Sequence, residues 1–576
     1  MSYITGRSAS PGMASGNAFI YIEQDLSFET VSTSDPDKEI LRLKDAFGNS
    51  KLELEDIKNS LSGDLGEEFG HIFRAQMTMI EDEEFYQEIT DIIAEEKICA
   101  EAGLKTIFTG YSDLFSSLGE DDYNRQRLLD LTDVYKRILR NLLGLQAGDL
   151  SGVPENSIIV AEDLMPSDTA LMNKENIAGM ITEKGGVTSH VAILAKSLGI
   201  PAAVGVTEAI GKTSPKSEIL LDSRDFETAK IWFSADKEEK EIFLIEKKKH
   251  EDRLQRLDSV KDLEAVTIDG RKIDLSANIG SIEDLNSARS FGAKSVGLLR
   301  TEFFFLDTVS LPDENKQFEF YKTIAESLNP GMVVIRTLDI GGDKEVKCFD
   351  LPDEDNPFLG LRGIRVCLKY REIFKTQLRA VLRAAAYGNI KMMFPMVADL
   401  TEFRAAKTLI VECCAELESE KLDYNGDIEI GVMVETPAAV MISDILTEEC
   451  DFISIGTNDL TQYVLCADRI NENVSDYYRI FSPAIFRSLK TAVDNAHANN
   501  RWAGICGELG GIPIVLPILI GLGIDELSMT GQMLPEAVSI IRSLKYEDCK
   551  KAAEKLLKLK TEEEIKVFLQ ENFTQE

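Results

Sequence analysis

The sequence predicts a multidomain α/β protein: an α/β domain carrying an all-helical insertion, followed by a (β/α)8 TIM barrel. Three observations lead there. The chain has 576 residues, which at about 150 residues per domain means several folding units. No proline occurs from Asp37 to Val153, and apolar residues in that stretch recur at helical spacing. From about Val266 onward, short β runs alternate with helical segments.

Taken in order, residues 4–22 are short, glycine-rich and strand-like. Ser34-Asp35-Pro36 then offers a helix start, since proline suits the first turn. Ile40, Phe47, Leu54, Ile57 and Leu61 fall near one face, and further helices are predicted at 67–78, 82–96, 99–118 and 121–145. Runs typical of α/β packing follow at 157–161, 179–182, 202–205 and 218–221. The helical block is therefore either an insertion in one α/β domain or a separate domain in series. Residues 236–264 mix both charge signs with few apolar positions and read as a solvated connecting helix. Eight strands are predicted beyond it, at 273–278, 295–300, 332–336, 391–396, 430–435, 452–456, 502–506 and 526–529. Ser281-Ile282-Glu283-Asp284 reads as a capping box opening the first helix between them. Eight strands in this length fit the barrel, with a doubly wound sheet as the alternative. The resulting division is 1–29 with 146–235 (α/β), 30–145 (helical), 236–264 (linker) and 265–576 (barrel).

Composition excludes several classes. The apolar fraction of 44% supports packed cores, and the net charge of −36 argues against sequence-independent binding of nucleic acid. The first residues lack a basic region followed by an apolar one, and no apolar run reaches membrane length. The cysteines number nine, an odd count without a Cys-x-x-Cys pair, so neither a disulfide framework nor a zinc site is indicated. A reducing, cytoplasmic setting is expected.

Gly185-Gly186-Val187-Thr188-Ser189-His190 carries the most chemical information. Strand, glycine turn and helix follow one another, with the histidine in the first helical turn. Unpaired N–H groups and the positive dipole end welcome a phosphate there, and they keep an imidazole neutral and nucleophilic. In the C-terminal half, polar or reactive residues recur at strand ends, where a barrel builds its site: Arg300, Arg336, Glu435, Asn458 with Asp459, and Cys506. Arginine forks suit phosphate and carboxylate oxygens. Two carboxylates from neighbouring strands suit Mg2+. No Gly-x-x-x-x-Gly-Lys-[Ser/Thr] occurs, so a nucleotide held in a P-loop is not the expected phosphoryl donor.

With these motifs the chain resembles, end to end, enzyme I of the bacterial sugar phosphotransferase system, the phosphoenolpyruvate–protein phosphotransferase family. The segments carrying the resemblance are 185–190, 297–303, 335–344, 356–365, 431–438, 454–463 and 506–509. It implies that His190, in a phosphohistidine swivelling domain, takes the phosphoryl group of phosphoenolpyruvate and passes it to a histidine of the carrier protein HPr. It further implies that Arg300, Arg336, Asn458, Asp459 and Arg469 hold phosphoenolpyruvate, with Lys344 and Arg362 as further phosphate contacts. Glu435 and Asp459 would ligate Mg2+, Cys506 would protonate the enolate carbon to release pyruvate, and Thr169 would hydrogen-bond the active histidine. The helical insertion would dock HPr, the barrel would form a homodimer, and the charged connector would be the hinge. One departure stands out: Ile470-Asn471 follows Ala467-Asp468-Arg469 where the family often has Gly-Asn.

Two other readings differ in what they require. A pyruvate phosphate dikinase or phosphoenolpyruvate synthase needs an ATP-binding domain, for which the helical block is too short and too helical. A non-catalytic scaffold binding HPr and metabolites has no use for His190, Glu435, Asp459 and Cys506 together.

Overall fold

The computed structural model describes residues 3–22, 24–60, 67–117, 122–145, 150, 152–169, 172–186, 189–225, 227–306, 311–342, 351–352 and 354–573. Two compact units divide the chain, residues 1–252 and 253–576. The division falls inside the helix Lys237–Val260.

In the first unit, seven strands close into a mixed barrel: β1 (Ile4–Ser10), β2 (Met13–Tyr21), β3 (Ser157–Ala161), β4 (Ile177–Thr182), β5 (Ala202–Val204), β6 (Glu218–Asp222) and β7 (Thr228–Trp232). Their order is β1-β5-β4-β3-β2-β6-β7. β2, β3, β4 and β5 run parallel to one another, and β1, β6 and β7 close the sheet in antiparallel pairings. β3 is buried at every position, as its unbroken apolar run requires of a strand covered on both faces. β7 was not legible as a strand: it is short and sits beside the charged connector.

Among the described residues, five helices stand between β2 and β3: Pro36–Ser60, Glu67–Ile80, Glu83–Glu96, Ala100–Ser117 and Asp122–Leu142. Strands on both sides of them share one sheet, with β2 paired directly to β3, so the helices are inserted rather than placed in series. Pro36 opens the first helix, and Phe47, Leu54 and Ile57 are buried as their spacing requires, joined by Leu43 and Ala46. Leu61 lies outside the described residues. Asp82 is the N-cap of the third helix rather than its first residue, accepting N–H bonds from Glu84 and Phe85. The helical core of Ile89, Ile93, Leu104, Val134 and Ile138 is continuous with the apolar face of the sheet around Ile159 and Met180. The connecting helix Lys237–Val260 is solvated, with Phe243 buried against Trp232.

The second unit is a closed barrel of eight parallel strands: β8 (Asp274–Ile279), β9 (Val296–Arg300), β10 (Met332–Arg336), β11 (Asn389–Phe394), β12 (Ile430–Val434), β13 (Phe452–Ile455), β14 (Trp502–Ile505) and β15 (Glu526–Met529). This is the (β/α)8 architecture, and β15 pairs with β8 to close it. β11 begins two residues before its predicted start and stops short of Pro395-Met396, because proline has no ladder donor and Met396 takes a φ of 57°. The predicted capping box at Ser281 is half formed. Ser281 Oγ accepts from the Asp284 N–H at 3.0 Å, but the Asp284 carboxylate reaches back to the N–H of Gly280 instead of Ser281.

The barrel interior holds one buried acid that nothing in the pattern announced. Glu526 begins β15, and its Oε1 meets no hydrogen-bond partner. Its space exists because two strands around it carry glycine, the adjacent β14 and, beyond β8, β9: a Cβ on Gly504 or Gly297 would stand 2.4 or 2.2 Å from its oxygens. Burial pushes this carboxyl up to about 8, from an ordinary 4.5. The folded chain therefore keeps a proton that the unfolded chain releases, and stability falls as pH rises between those values. Glu526→Gln carries no such penalty. We expect the melting-temperature advantage of Glu526→Gln over the unmodified protein to grow from pH 5 to pH 8; an equal difference at both would mean that Glu526 ionises freely in the fold.

Candidate functional site

In the first unit, β4 ends at Thr182 and a turn leads to the helix His190–Leu198. Thr182 Oγ1 donates to the Lys184 carbonyl at 2.7 Å, and Gly185 takes a φ of +92° that a side chain would strain. Ser189 is the N-cap, its Oγ accepting from the Ala192 N–H at 3.4 Å, a kind of contact that contributes about 1 kcal/mol. His190 is thus the first helical residue. Gly199 ends the helix in the left-handed conformation. Thr169 is buried in the short helix Pro166–Thr169 that follows β3, the parallel neighbour of β4. Thr169 and His190 therefore follow the same end of adjacent strands. Thr169 Oγ1 approaches the Met165 carbonyl at 3.5 Å, and the neighbouring Asp168 carboxylate accepts from Tyr21 OH at 2.8 Å and from the Met165 N–H at 2.9 Å. The side chain of His190, and with it the bond expected from Thr169, lies outside the described residues, as does Lys344.

The second unit gathers the remaining candidates at the C-terminal mouth of its barrel. Arg300 ends β9 and is half-buried; Arg336 ends β10 and is buried. Glu435 directly follows β12, Asn458 and Asp459 open the helix Thr457–Leu465 after β13, and Cys506 directly follows β14. Arg362 comes from the segment between β10 and β11 and is 1% exposed.

An ion-pair network ties these groups together. Arg336 donates to Glu302 and lies 3.2 Å from Asp339 Oδ2. Arg362 grips Asp459 with two bonds, at 2.9 and 3.1 Å, and reaches both oxygens of Asp339 at 3.3 Å. Its guanidinium also stands 5.8 Å over the Phe358 ring. Burial works against the charge on both arginines, but the surrounding carboxylates more than offset it and their pKa values are raised. Arg362, expected as a further phosphate contact, is buried here and bridges Asp339 and Asp459. Arg469 stands at the edge, with Nη1 3.9 Å from Asp459 Oδ2, and Ile470 beside it is exposed.

Glu435 accepts the Met396 N–H at 2.6 Å. Burial first, then Asp459 and Asp339, push its carboxyl up to about 8. Four buried carboxylates (Glu302, Asp339, Glu435, Asp459) thus face two buried arginines, Arg336 and Arg362, among the described residues. Glu435 and Asp459 offer oxygen donors from neighbouring strand ends in this electronegative cluster. That donor set fits a hard divalent cation. Among the described residues no group of three or more acidic, Cys or His side chains is placed to hold a metal alone, so such an ion would take further ligands from water or substrate.

Asn458 is held at the first turn of its helix. Its amide donates to Glu508 Oε1 at 3.1 Å and accepts the Glu508 N–H at 3.1 Å, while Tyr478 OH donates to its carbonyl at 3.1 Å. Cys506 is 3% exposed, and burial pushes its thiol up to about 12. It is therefore an S–H group rather than a thiolate at neutral pH. Sequence reasoning missed Glu302, Asp339 and Glu508. The first two stand two and three residues after arginines that were singled out, and an arginine placed at a buried strand end needs such partners.

Comparison with known proteins accounts for the whole chain. Residues 5–127 match the family described as PEP-utilising enzyme, N-terminal; residues 153–225 match the mobile domain of PEP-utilising enzymes, and residues 254–546 their PEP-binding domain. A phosphoenolpyruvate-protein phosphotransferase of Staphylococcus carnosus is 41% identical over 99% of both chains. Proteins of the same name from Priestia megaterium (99% of each chain) and Bacillus subtilis (100% of each chain) are 40% identical. With identity at this level across its full length, the chain belongs to the phosphoenolpyruvate–protein phosphotransferase family.

Proposed function

We propose that this protein transfers the phosphoryl group of phosphoenolpyruvate to its own His190 and then to a histidine of HPr, releasing pyruvate, as the first step of sugar uptake by a phosphotransferase system. The observation that carries this reading is the convergence of Arg300, Arg336, Glu435, Asn458, Asp459 and Cys506 on one end of a single barrel, in a chain whose relatives of that activity match it end to end. Phosphoenolpyruvate is held by Arg300, Arg336, Asn458 and Arg469, with Lys344 completing the set. Arg336, fixed by Glu302 and Asp339, spends no freedom on binding. Arginines so fixed stabilise the charge that spreads over the phosphoryl oxygens during a loose, in-line transfer.

Glu435 and Asp459 are the residues that would hold Mg2+, which when bound neutralises charge on the substrate oxygens. His190 attacks as a neutral imidazole, a state favoured at a helix N-terminus. The Cys506 thiol gives its proton to the enolate carbon; a C–H bond forms, the S–H bond breaks, and pyruvate leaves. The two units meet in sequence within one charged helix, which serves as the hinge when the phosphohistidine travels from barrel to carrier. HPr docks on the helical insertion, the barrel pairs with a second copy, and the reaction takes place in the cytoplasm. No helix among the described residues is long and apolar enough to cross a membrane.

The test is incubation with phosphoenolpyruvate, Mg2+ and HPr, followed by pyruvate assay and phosphopeptide mapping that preserves the acid-labile P–N bond. Label on His190 and then on HPr supports the reading; label elsewhere, or no pyruvate, defeats it and leaves a binding scaffold. Within this scheme Cys506→Ala slows pyruvate formation by about 10²-fold or more while changing phosphoenolpyruvate affinity little. Equal losses in rate and affinity would remove Cys506 from the acid role.

A further inference from the structure

Cys506 stands just past the last residue of β14, where the backbone ladder runs out. On the β13 side its N–H still donates to the Ile455 carbonyl at 3.2 Å, and its thiol lies 3.7 Å from the same oxygen. On the other side, the neighbouring strand β15 pairs with β14 only at Gly504 and Ile505. The Cys506 carbonyl is taken up instead by a side chain from one strand further round. Asn278, near the end of β8, reaches across β15 and donates its amide to that carbonyl at 3.1 Å, with the Ser528 carbonyl at 3.4 Å. The other end of the same amide is fixed in turn: Ser528 Oγ, on β15, donates to Asn278 Oδ1 at 2.6 Å. That bond leaves the Asn278 nitrogen as the end facing Cys506. The next residue, Gly507, closes the arrangement, since a Cβ there would stand 1.9 Å from Thr457 Oγ1.

We propose that Asn278 and Ser528 are positioning residues for the proton donor: their clasp across β15 fixes the Cys506 backbone, and with it the direction in which the thiol faces the enolate. The inference rests on the reading of Cys506 as the acid. Its physical basis is the geometry of proton transfer. The donor must lie within hydrogen-bond reach of the carbon and on one face of the enolate. A cysteine thiol has a single rotatable bond between it and the backbone, so aiming the backbone aims the sulfur. A terminal peptide whose carbonyl had no partner would be free to turn, and that carbonyl would be left unsatisfied. Neither Asn278 nor Ser528 gives or takes the reaction's proton. Their contribution is orientation, made through main chain.

Asn278→Asp keeps the volume but loses the amide donor. In the full-length protein with HPr and Mg2+, we expect it to slow pyruvate formation by about 10- to 100-fold. Phosphoenolpyruvate affinity, read in the His190→Gln background where no turnover occurs, stays within about twofold. The deciding measurement is the double variant. If Asn278 acts through Cys506, Asn278→Asp combined with Cys506→Ala is no slower than Cys506→Ala alone. Additive losses, a fall in affinity that accounts for the fall in rate, or an unchanged rate would each overturn the proposal. Should Asn278→Asp not fold, Ser528→Ala frees the same amide and carries the same double-variant test. Failure of the underlying reading looks different: Cys506→Ala alone would then leave pyruvate formation intact.

Discussion

His190→Gln, given phosphoenolpyruvate, Mg2+ and HPr, forms pyruvate more than about 10⁴-fold more slowly than the unmodified protein and passes no phosphoryl group to the carrier. Glutamine matches histidine closely in reach, but the lone pair of its amide nitrogen is delocalised into the carbonyl and does not form the P–N bond. The proposed binding groups belong to the other unit, residues 253–576, so phosphoenolpyruvate affinity measured by calorimetry is expected to stay close to that of the unmodified protein. Arg336→Ala provides the contrast, losing affinity first. A His190→Gln protein that lost affinity as severely as Arg336→Ala would show that binding and chemistry are not divided between the two units. Residual transfer to HPr at more than about a thousandth of the normal rate would place the acceptor elsewhere.

Arg362→Met is expected to have the largest effect on stability. It removes the cation that contacts Asp339 and Asp459 at once and leaves both carboxylates buried. Breaking a buried pair by removing one partner costs about 3–5 kcal/mol. Denaturant unfolding of the full chain should show this loss in the transition that reports the barrel. The pH dependence has a definite sign. Arg362 helps to hold down the pKa of Glu435, so without the guanidinium this carboxyl keeps its proton to still higher pH in the folded chain, whereas the unfolded chain releases it near the ordinary 4.5. The deficit is therefore small at pH 4 and grows toward pH 8. A deficit that did not change with pH would mean that Arg362 does not bear on the charge of Glu435. Phosphoenolpyruvate binding should fall with it, because Asp339 also braces Arg336.

Much of the site was legible in the sequence because its residues occupy strand ends. Short buried strands announce themselves as apolar runs, and whatever polar group terminates such a run sits at the mouth of a barrel. Arg300, Arg336, Glu435 and Cys506 were located by that logic alone, before any family resemblance. The turn before His190 was legible for a similar reason: glycines, a hydroxyl cap and an apolar helix form a local code. Other features left a weak local trace or none. Glu302 and Asp339 follow singled-out arginines closely, but only the fold brings Arg336 from the neighbouring strand against Glu302 and folds Arg362 back onto Asp339. Asn278 matters because β15, the last strand, closes on β8, the first, and brings its side chain within reach of Cys506. Glu526 is tolerated because glycines on β14 and β9 leave room for its carboxyl.

The division has one physical cause. Secondary structure, caps, turns and the order of the domains depend on neighbours within a few residues, and the sequence alone determined them: helices in the proline-free block, alternating strands and helices beyond Val266, and a histidine at a helix start. The tertiary structure decided whatever depends on pairing between distant segments. It placed the helical block between β2 and β3 of one sheet, supplied β7 to close that sheet, and turned Arg362 inward as a strut between two aspartates. Buried charge is settled at that level because the Coulomb and desolvation terms governing it depend on which groups meet in space.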